Sequence, residues 1–418
     1  MSSQFGISGV IFVTPVDLVA IPPWERGPMP FAEGGVVATA DVRSGYFNDR
    51  SGQALYGSDR VHRWAASGAG LEFPDPAFDV IGVEVIRAPG THLHRNGFVI
   101  VHGRMPPSGV DLVDELHRLS LIGTDSAPLR RWCDEVLDRS GAVSANIKRA
   151  MTMTYVTPAT ELVSPLSGAY SAWPASLQWL WLLASTTPAD AYLPAPEARA
   201  ALAESLVRLS AGWQALVLRD GVAFLGSGPD MGPAYRLFQD PEFHFRSIYL
   251  DTLLLGQLQR LILTQIADDL AAVSDPYLDP QRLVNLEHEL TKFRNVFWWR
   301  HLGPQWHANA LLGAYQRQHE IPDLLDQISN ELGDYSSKAE RSATQRSEAL
   351  LGVLAVVSLP VGAAELTHAL GIHEWIWRSL ALAVALVLVV AILLTGPGRR
   401  IVRLWLLVGR QESRTKKS

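Results

Sequence analysis

Ser358, Gly362, Glu365 and His368 follow one another at spacings of four, three and three residues inside the largely apolar stretch ALLGVLAVVSLPVGAAELTHAL at 349–370. On a helix these spacings put all four on one face, opposite the bulkier Leu and Val side chains. Ionisable groups are costly in a membrane and mark ion pathways there, so in an oligomer this face could line a pore. Glu365 lies about 24 Å along such a helix, near the outer headgroups, where an ordinary interfacial residue is the competing reading. Pro360 removes the amide donor to the carbonyl of Val356 and predicts a kink, while Gly352 and Gly362 permit close approach of a second helix. Ser358, Pro360, Gly362, Glu365 and His368 are therefore the pore-lining candidates.

Two other constellations have the right residue types for chemistry. His92 and His94 share a face if they lie on a strand, and His102 follows, so three imidazoles could bind zinc; surface or loop histidines give the same spacing. GSGPDMG at 226–232 follows a predicted strand as a dinucleotide loop does, but its third Gly comes one place late and Pro233 follows, as in a plain turn. GxxxxGK[ST], HExxH and GxSxG do not occur in the sequence. No catalytic residue, metal ligand set or cofactor is assigned, and a non-enzymatic role is expected.

The pore candidates need a membrane to act in. Leu380–Leu394, LALAVALVLVVAILL, is fifteen uninterrupted apolar residues, eleven of them Leu, Ile or Val. Extended to 376–395 it spans about 30 Å as a helix, the thickness of a bilayer's hydrocarbon core. Only Gly371–Trp375 separates it from 349–370, so a hairpin of two transmembrane helices is predicted, with Trp375 and Trp377 as interfacial anchors. The tail, 396–418, carries Arg399, Arg400, Arg403, Arg410, Arg414, Lys416 and Lys417 against a lone Glu412. This positive excess places both chain ends in the cytoplasm, with RRIVRLWLLVG as an interfacial helix on the inner leaflet. Membrane lipid is the first expected partner.

Upstream, the sequence predicts an α/β or α+β cytoplasmic domain followed by long helices. SGVIFVT (8–14), DVIGVEVI (79–86), GFVIVHG (97–103) and AMTMTYVT (150–157) have strand character, and 213–225 reads as a hairpin. VDLVDELHRLS, PLRRWCDEVLD and EARAALAESLVRLSAGW have the helical period. Between the first two strands, IPPWERGPMPFAEGG and the stretch through Ser67-Gly68-Ala69-Gly70 are broken by Pro and Gly, giving a long functional loop or a poorly ordered insert. The expected divisions are an N-terminal α/β domain (1–145), a second α/β region (146–245), a long-helix stalk (246–348), two transmembrane helices (349–370 and 376–395) and the basic tail. In the stalk, Phe293, Phe297, Trp298 and Trp299 fit core packing or a partner surface.

Composition narrows the partners further. A net charge of −6 over 418 residues argues against nucleic acid, which calls for a basic surplus. Cys133 is the only cysteine, so an internal disulfide framework is excluded and a reducing compartment fits. MSSQFGISGVIFVTPVD lacks the pattern of an export signal, which again predicts a cytosolic soluble part.

A soluble α/β domain, a long helix running into a first membrane helix with an internal Pro, a tight outer turn, a second helix and a basic tail together resemble the CorA-type magnesium transporter family. The resemblance is best at SLPVGAAELTHALG and covers about residues 320–395. The family's Gly-Met-Asn tripeptide would fall at Ala369-Leu370-Gly371 and is absent, with His368 at the preceding aromatic position. The resemblance implies a homo-oligomer in the bacterial inner membrane, built around the first membrane helix, with a metal cation as transported substrate. CorA-like hairpins also occur in bacterial conflict systems as effectors or anchors, where a protein or small molecule would act as regulator. The alternative is a membrane-anchored sensor or interaction module without transport activity.

Overall fold

The computed structural model describes residues 5–18, 20–33, 36–56, 62–68, 70–87, 97–105, 110–120, 128–139, 144–145, 150–226, 241–273, 280–299 and 301–338, with scattered helical positions between 340 and 387. Two compact units divide the chain: Met1–Ala272 with Asn285–Asn330, and Val273–Val284 with Glu331–Ser418.

The first unit is built on a mixed sheet. Its strands are β1 (Phe5–Leu18), β2 (Glu25–Arg26), β5 (His62–Ser67), β6 (Asp79–Arg87), β7 (Gly97–Arg104), β8 (Ser144–Ala145), β9 (Met151–Pro158), β10 (Leu206–Arg208), β11 (Trp213–Val217) and β12 (Gly221–Gly226), while β3 (Ala32–Glu33) and β4 (Val36–Val37) pair with each other. The main path runs β10-β11-β12-β9-β1-β7-β6-β5-β2, with β8 alongside β1. All neighbours are antiparallel except β12 and β9, which run parallel. Because β1 pairs with both β7 and β9, the sheet runs uninterrupted across the expected division at residue 145.

Strand alternation sends two sets of side chains to opposite faces. Val10, Phe12, Val16, Val83, Val85, Val99 and Val101 enter one hydrophobic core. Covering that face are α3 (Val110–Ser120), α4 (Pro128–Arg139) and α5 (Ala175–Ser185), through Leu112, Leu116, Leu129, Trp132, Val136 and Trp179. The buried set of α4, Leu129, Trp132, Cys133, Val136 and Leu137, follows the three-four spacing of a single helical stripe. Residues of the alternate set, Ile11, Val13, Glu84, Ile86, Ile100 and His102, are buried as well. Burial of both faces explains why antiparallel strands here read as near-continuous apolar runs.

Described residues of the N-terminal insert form short helices. Between β4 and β5 lie α1 (Ala40–Ser44), capped by Thr39 accepting from the Val42 amide, and α2 (Asp49–Tyr56). Asn48 and Ser51 fasten this pair to the backbone carbonyls of His301 and Leu302, at 2.9 and 2.7 Å. Side-chain and loop bonds of this kind, which have no sequence period, hold α1 and α2 in place.

The expected helix over EARAALAESLVRLSAGW is mostly replaced. A 3-10 turn (Pro196–Ala198) and the short α6 (Arg199–Glu204) are followed by β10, where Val207 is buried and pairs with Ala215. Sheet pairing thus overrides the helical propensity of the segment, and Ser210 to Gly212 turn the chain into β11.

The helical part begins with α7 (Pro241–His244) and a π-turn (Phe245–Tyr249), which lead into α8 (Leu250–Ala271). α8 is apolar around most of its circumference because it is buried on most sides. Then come α9 (Pro280–Val296), α10 (Trp306–Gln318) and helical residues 321–330. α10 lies within the stretch 246–348 expected to be long helices. At Gly256 of α8 an added Cβ would meet the Tyr315 ring of α10 at 2.5 Å, so glycine sets how closely these two helices pack. Phe293, Phe297 and Trp299 are buried, which makes them core residues.

In the second unit residues 331–338 are helical, and Lys338 Nζ lies 5.6 Å from the Tyr335 ring centroid. Farther on, the Thr344 and Ser379 hydroxyls donate to the carbonyls four residues back, Glu340 and Trp375, at 3.0 and 2.8 Å. Among the described residues no helix is long and apolar enough to cross a membrane. The expected spans 349–370 and 376–395 fall almost wholly, and the tail 396–418 wholly, outside the described residues.

Candidate functional site

Three adjacent strands each place one ionisable side chain on the α8 side of the sheet: Arg63 on β5, Glu84 on β6 and His102 on β7. α8 adds Asp251, one residue into the helix, and the insert adds Arg43 from α1 and Tyr56 from the end of α2. Arg43, Arg63, Glu84, His102 and Asp251 are all buried.

They form one continuous relay. His102 Nε2 lies 2.7 Å from Glu84 Oε1, and Glu84 Oε2 accepts from Arg63 Nε. Arg63 Nη1 reaches Asp251 Oδ1 at 2.7 Å, and Asp251 Oδ2 accepts from the Tyr56 hydroxyl and from Arg43 Nη1, the latter at 3.2 Å. Arg43 completes its shell with the carbonyls of Met29 at 2.6 Å and Ala38 at 3.1 Å. A second group lies alongside. Arg246 donates to Glu242 at 2.8 Å and to the Gly103 carbonyl at 2.7 Å, and the half-exposed Arg104 pairs with Glu242 at 2.8 Å. Phe31 joins the two groups: its ring centroid lies 5.1 Å from that of His102, and 6.0 and 5.7 Å from the guanidinium carbons of Arg43 and Arg246.

Electrostatics decide what this cluster can do. Burial pushes the Glu84 carboxyl up, but Arg63 and the His102 hydrogen bond outweigh it and hold the group well below the usual carboxylate range. Burial lowers His102 to about 4 despite Glu84. His102 is therefore neutral at pH 7, and since a carboxylate only accepts, its proton sits on Nε2. Its Nδ1 is left as a buried lone pair without a partner, and Arg63 Nη2 and Arg246 Nη1 likewise lack one. Burial, then Asp251, raises the Tyr56 phenol well above its ordinary value. Three buried guanidiniums, Arg43, Arg63 and Arg246, face three carboxylates, Glu84, Asp251 and Glu242. Each carboxylate is engaged by at least one arginine, and the half-exposed Arg104 adds a fourth guanidinium at Glu242. The arrangement is suited to locking the insert onto the sheet and α8, with His102 Nδ1 the basic atom left without a partner.

The residues singled out from the sequence fare differently. Ser358, Pro360, Gly362, Glu365 and His368 lie outside the described residues, as do His92 and His94. His102 is committed to Glu84, and among the described residues no group of three His, Cys, Asp or Glu is placed to hold a metal ion. Gly226 ends β12, and the rest of GSGPDMG lies outside the described residues. Cys133 packs in the core, where burial pushes its thiol up and away from thiolate reactivity. Arg43, Tyr56, Arg63, Glu84 and Asp251 were not foreseen. For Glu84 and Asp251 the signal is a single ionisable residue inside an apolar run, in VIGVEVI and SIYLDTLLL.

A cavity of about 400 Å³ lies elsewhere in the same unit, between β1, β7, the β11–β12 turn, α8 and α10. Arg219, Gln257, Arg260, Thr264 and Tyr315 supply its polar wall, and Phe98, Met151 and Leu261 its apolar one. Comparison with family models, with curated proteins and with solved structures finds no match to this chain.

Proposed function

We propose that the chain is an oligomeric membrane effector of the bacterial inner membrane, in which the C-terminal hairpin conducts ions or perturbs the bilayer under control of the cytosolic α/β unit. The observation that carries this reading is the fifteen-residue apolar run Leu380–Leu394 with seven basic residues after it. Insertion of its eleven Leu, Ile and Val side chains is favourable by several kcal/mol at roughly 0.3 to 0.6 kcal/mol each. The apolar side chains of Leu351, Trp375, Val384 and Val387, 53 to 75% exposed in the isolated chain, support a hydrocarbon environment. Ser358, Gly362, Glu365 and His368 give the first span a polar face, and the CorA-like order of elements supports a homo-oligomer with a metal cation as permeating species.

Reconstitution in liposomes tests this. Cation flux that falls in Glu365→Ala or Ser358→Ala is the expected outcome, together with an oligomer by native mass measurement in detergent. A monomer without flux would reject the effector. A second reading, a membrane-tethered sensor or interaction module without transport, would then stand; the cavity between α8 and α10 favours it, because such a module needs a place for a ligand.

A further inference from the structure

The cavity between the β11–β12 turn, α8 and α10 has the lining of a ligand site, and the ionic relay uses none of it. Its volume, about 400 Å³, falls in the range that small molecules occupy. Two guanidiniums lie on its wall. Arg219 is held by the Gln318 carbonyl at 3.0 Å and by Glu320 at 2.7 Å, an exposed pair that fixes its direction. Arg260, on an exposed position of α8, has no carboxylate within ion-pair distance among the described residues. Asp220, the acidic residue on this wall, is itself partnered. Among the described residues Arg260 is thus the guanidinium on this wall that no carboxylate engages.

Deeper in, the Tyr315 hydroxyl is fully buried and makes no hydrogen bond of good geometry, although it lines the cavity beside Arg260. A buried hydroxyl without a partner costs stability unless something else satisfies it. His319, one turn beyond Tyr315, is kept neutral by burial and by Arg260 and Arg219, and its Nε2 also lacks a partner. Gln257 offers its amide to nothing stronger than the Met151 sulfur, at 3.2 Å. Phe98, Met151 and Leu261 add apolar lining.

We propose that this cavity binds a small organic anion, its phosphate or carboxylate group held by Arg260 with the Tyr315 hydroxyl and its apolar body lying against Met151 and Leu261. Guanidinium suits both oxyanions because its planar fork donates two parallel hydrogen bonds. The inference names a site and a ligand class beyond the membrane role proposed above, and it holds whether or not Leu380–Leu394 enters a bilayer.

Calorimetric titration of the full chain with phenyl phosphate, benzoate and uncharged benzyl alcohol tests it, with the titration into empty detergent micelles subtracted. Saturable one-site binding of at least one anion is expected, tighter than that of benzyl alcohol. Preference for phenyl phosphate assigns a phosphate ligand and preference for benzoate a carboxylate. Arg260→Gln should weaken binding about tenfold or more. Tyr315→Phe should weaken it about fivefold while leaving the ligand-free thermal midpoint unchanged or higher, since it deletes an unpartnered buried hydroxyl. Absence of binding by both anions, equal affinity for benzyl alcohol, or wild-type affinity in both variants would overturn the proposal. A chain that needs no detergent but still binds the anion would reject the membrane reading alone.

Discussion

Arg63 of β5 reaches Asp251 of α8 at 2.7 Å across 188 residues of sequence, and the same carboxylate also receives Arg43 from the insert. One aspartate therefore holds two buried guanidiniums brought together from different elements, and Glu84 shares the charge of Arg63. Asp251→Asn should leave Arg43 without a carboxylate and Arg63 with Glu84 alone, at a cost of about 3 to 5 kcal/mol, the range for breaking a buried ion pair from one side. Urea unfolding measures the loss. Because the insert is tied down through Arg43, limited trypsin digestion should also cut earlier after the exposed Arg50 in α2.

Acid should weaken the first unit before it protonates most carboxylates. His102 is held near 4 in the folded state against 6.5 in an ordinary setting, so between these values the unfolded chain binds a proton that the folded one refuses. Stability therefore falls as pH drops below about 6.5, by about 1 kcal/mol between pH 7 and 5.5. Glu84, held low in the fold, adds a further loss of the same sign below its ordinary range near 4.5. Unfolding free energies at pH 7, 5.5 and 4.5 should show this slope. His102→Gln, which keeps a donor for Glu84, should flatten its upper part.

Gly256 and Gly313 make a matched pair. At Gly256 a Cβ would lie 2.5 Å from the Tyr315 ring, so Gly256→Ala should cost about 1 to 3 kcal/mol through overpacking and should disturb the cavity. At Gly313 of α10 the nearest group is the Arg317 guanidinium at 3.5 Å. There Gly313→Ala should be neutral or stabilise by up to about 1 kcal/mol through helix propensity. Thermal midpoints of the two variants are the comparison.

The hairpin makes its own prediction. Leu386 lies near the middle of the apolar run, and an arginine there costs roughly 2.5 to 3.5 kcal/mol of insertion. Leu386→Arg should shift the protein from the membrane to the soluble fraction on cell fractionation. Unchanged partition would show that this segment does not anchor the chain.

Much of the sheet was legible because its strands are rich in apolar and β-branched residues over runs of five to eight residues. β1, β6, β7, β9 and the β11–β12 hairpin all carry that signal, and α3, α4 and α8 carry the helical one. β10 was not legible: Ala200 to Leu206 is strong helix-forming sequence, and only pairing with β11 decides that its end is a strand. The relay was legible only in part. His102 stood out as a histidine, but its partner Glu84 lies eighteen residues earlier on a neighbouring strand, and the registers that bring them together follow from the whole sheet. Arg43 and Tyr56 sit in a segment whose pieces are held by tertiary bonds to residues near 251 and 302, for which no local pattern exists.

β1 is synthesised before its partners β7, β8 and β9, the last ending at Pro158. The guanidinium of Arg63 waits longer, because Asp251 follows 188 residues later. At translation speeds of about 5 to 20 residues per second that interval is roughly 10 to 40 seconds. During it Glu84 is the carboxylate already at hand for Arg63, while the ion pair of Arg43 has no partner until Asp251 is made. The lock between the insert, the sheet and α8 therefore closes late in synthesis, after most of the sheet has been made.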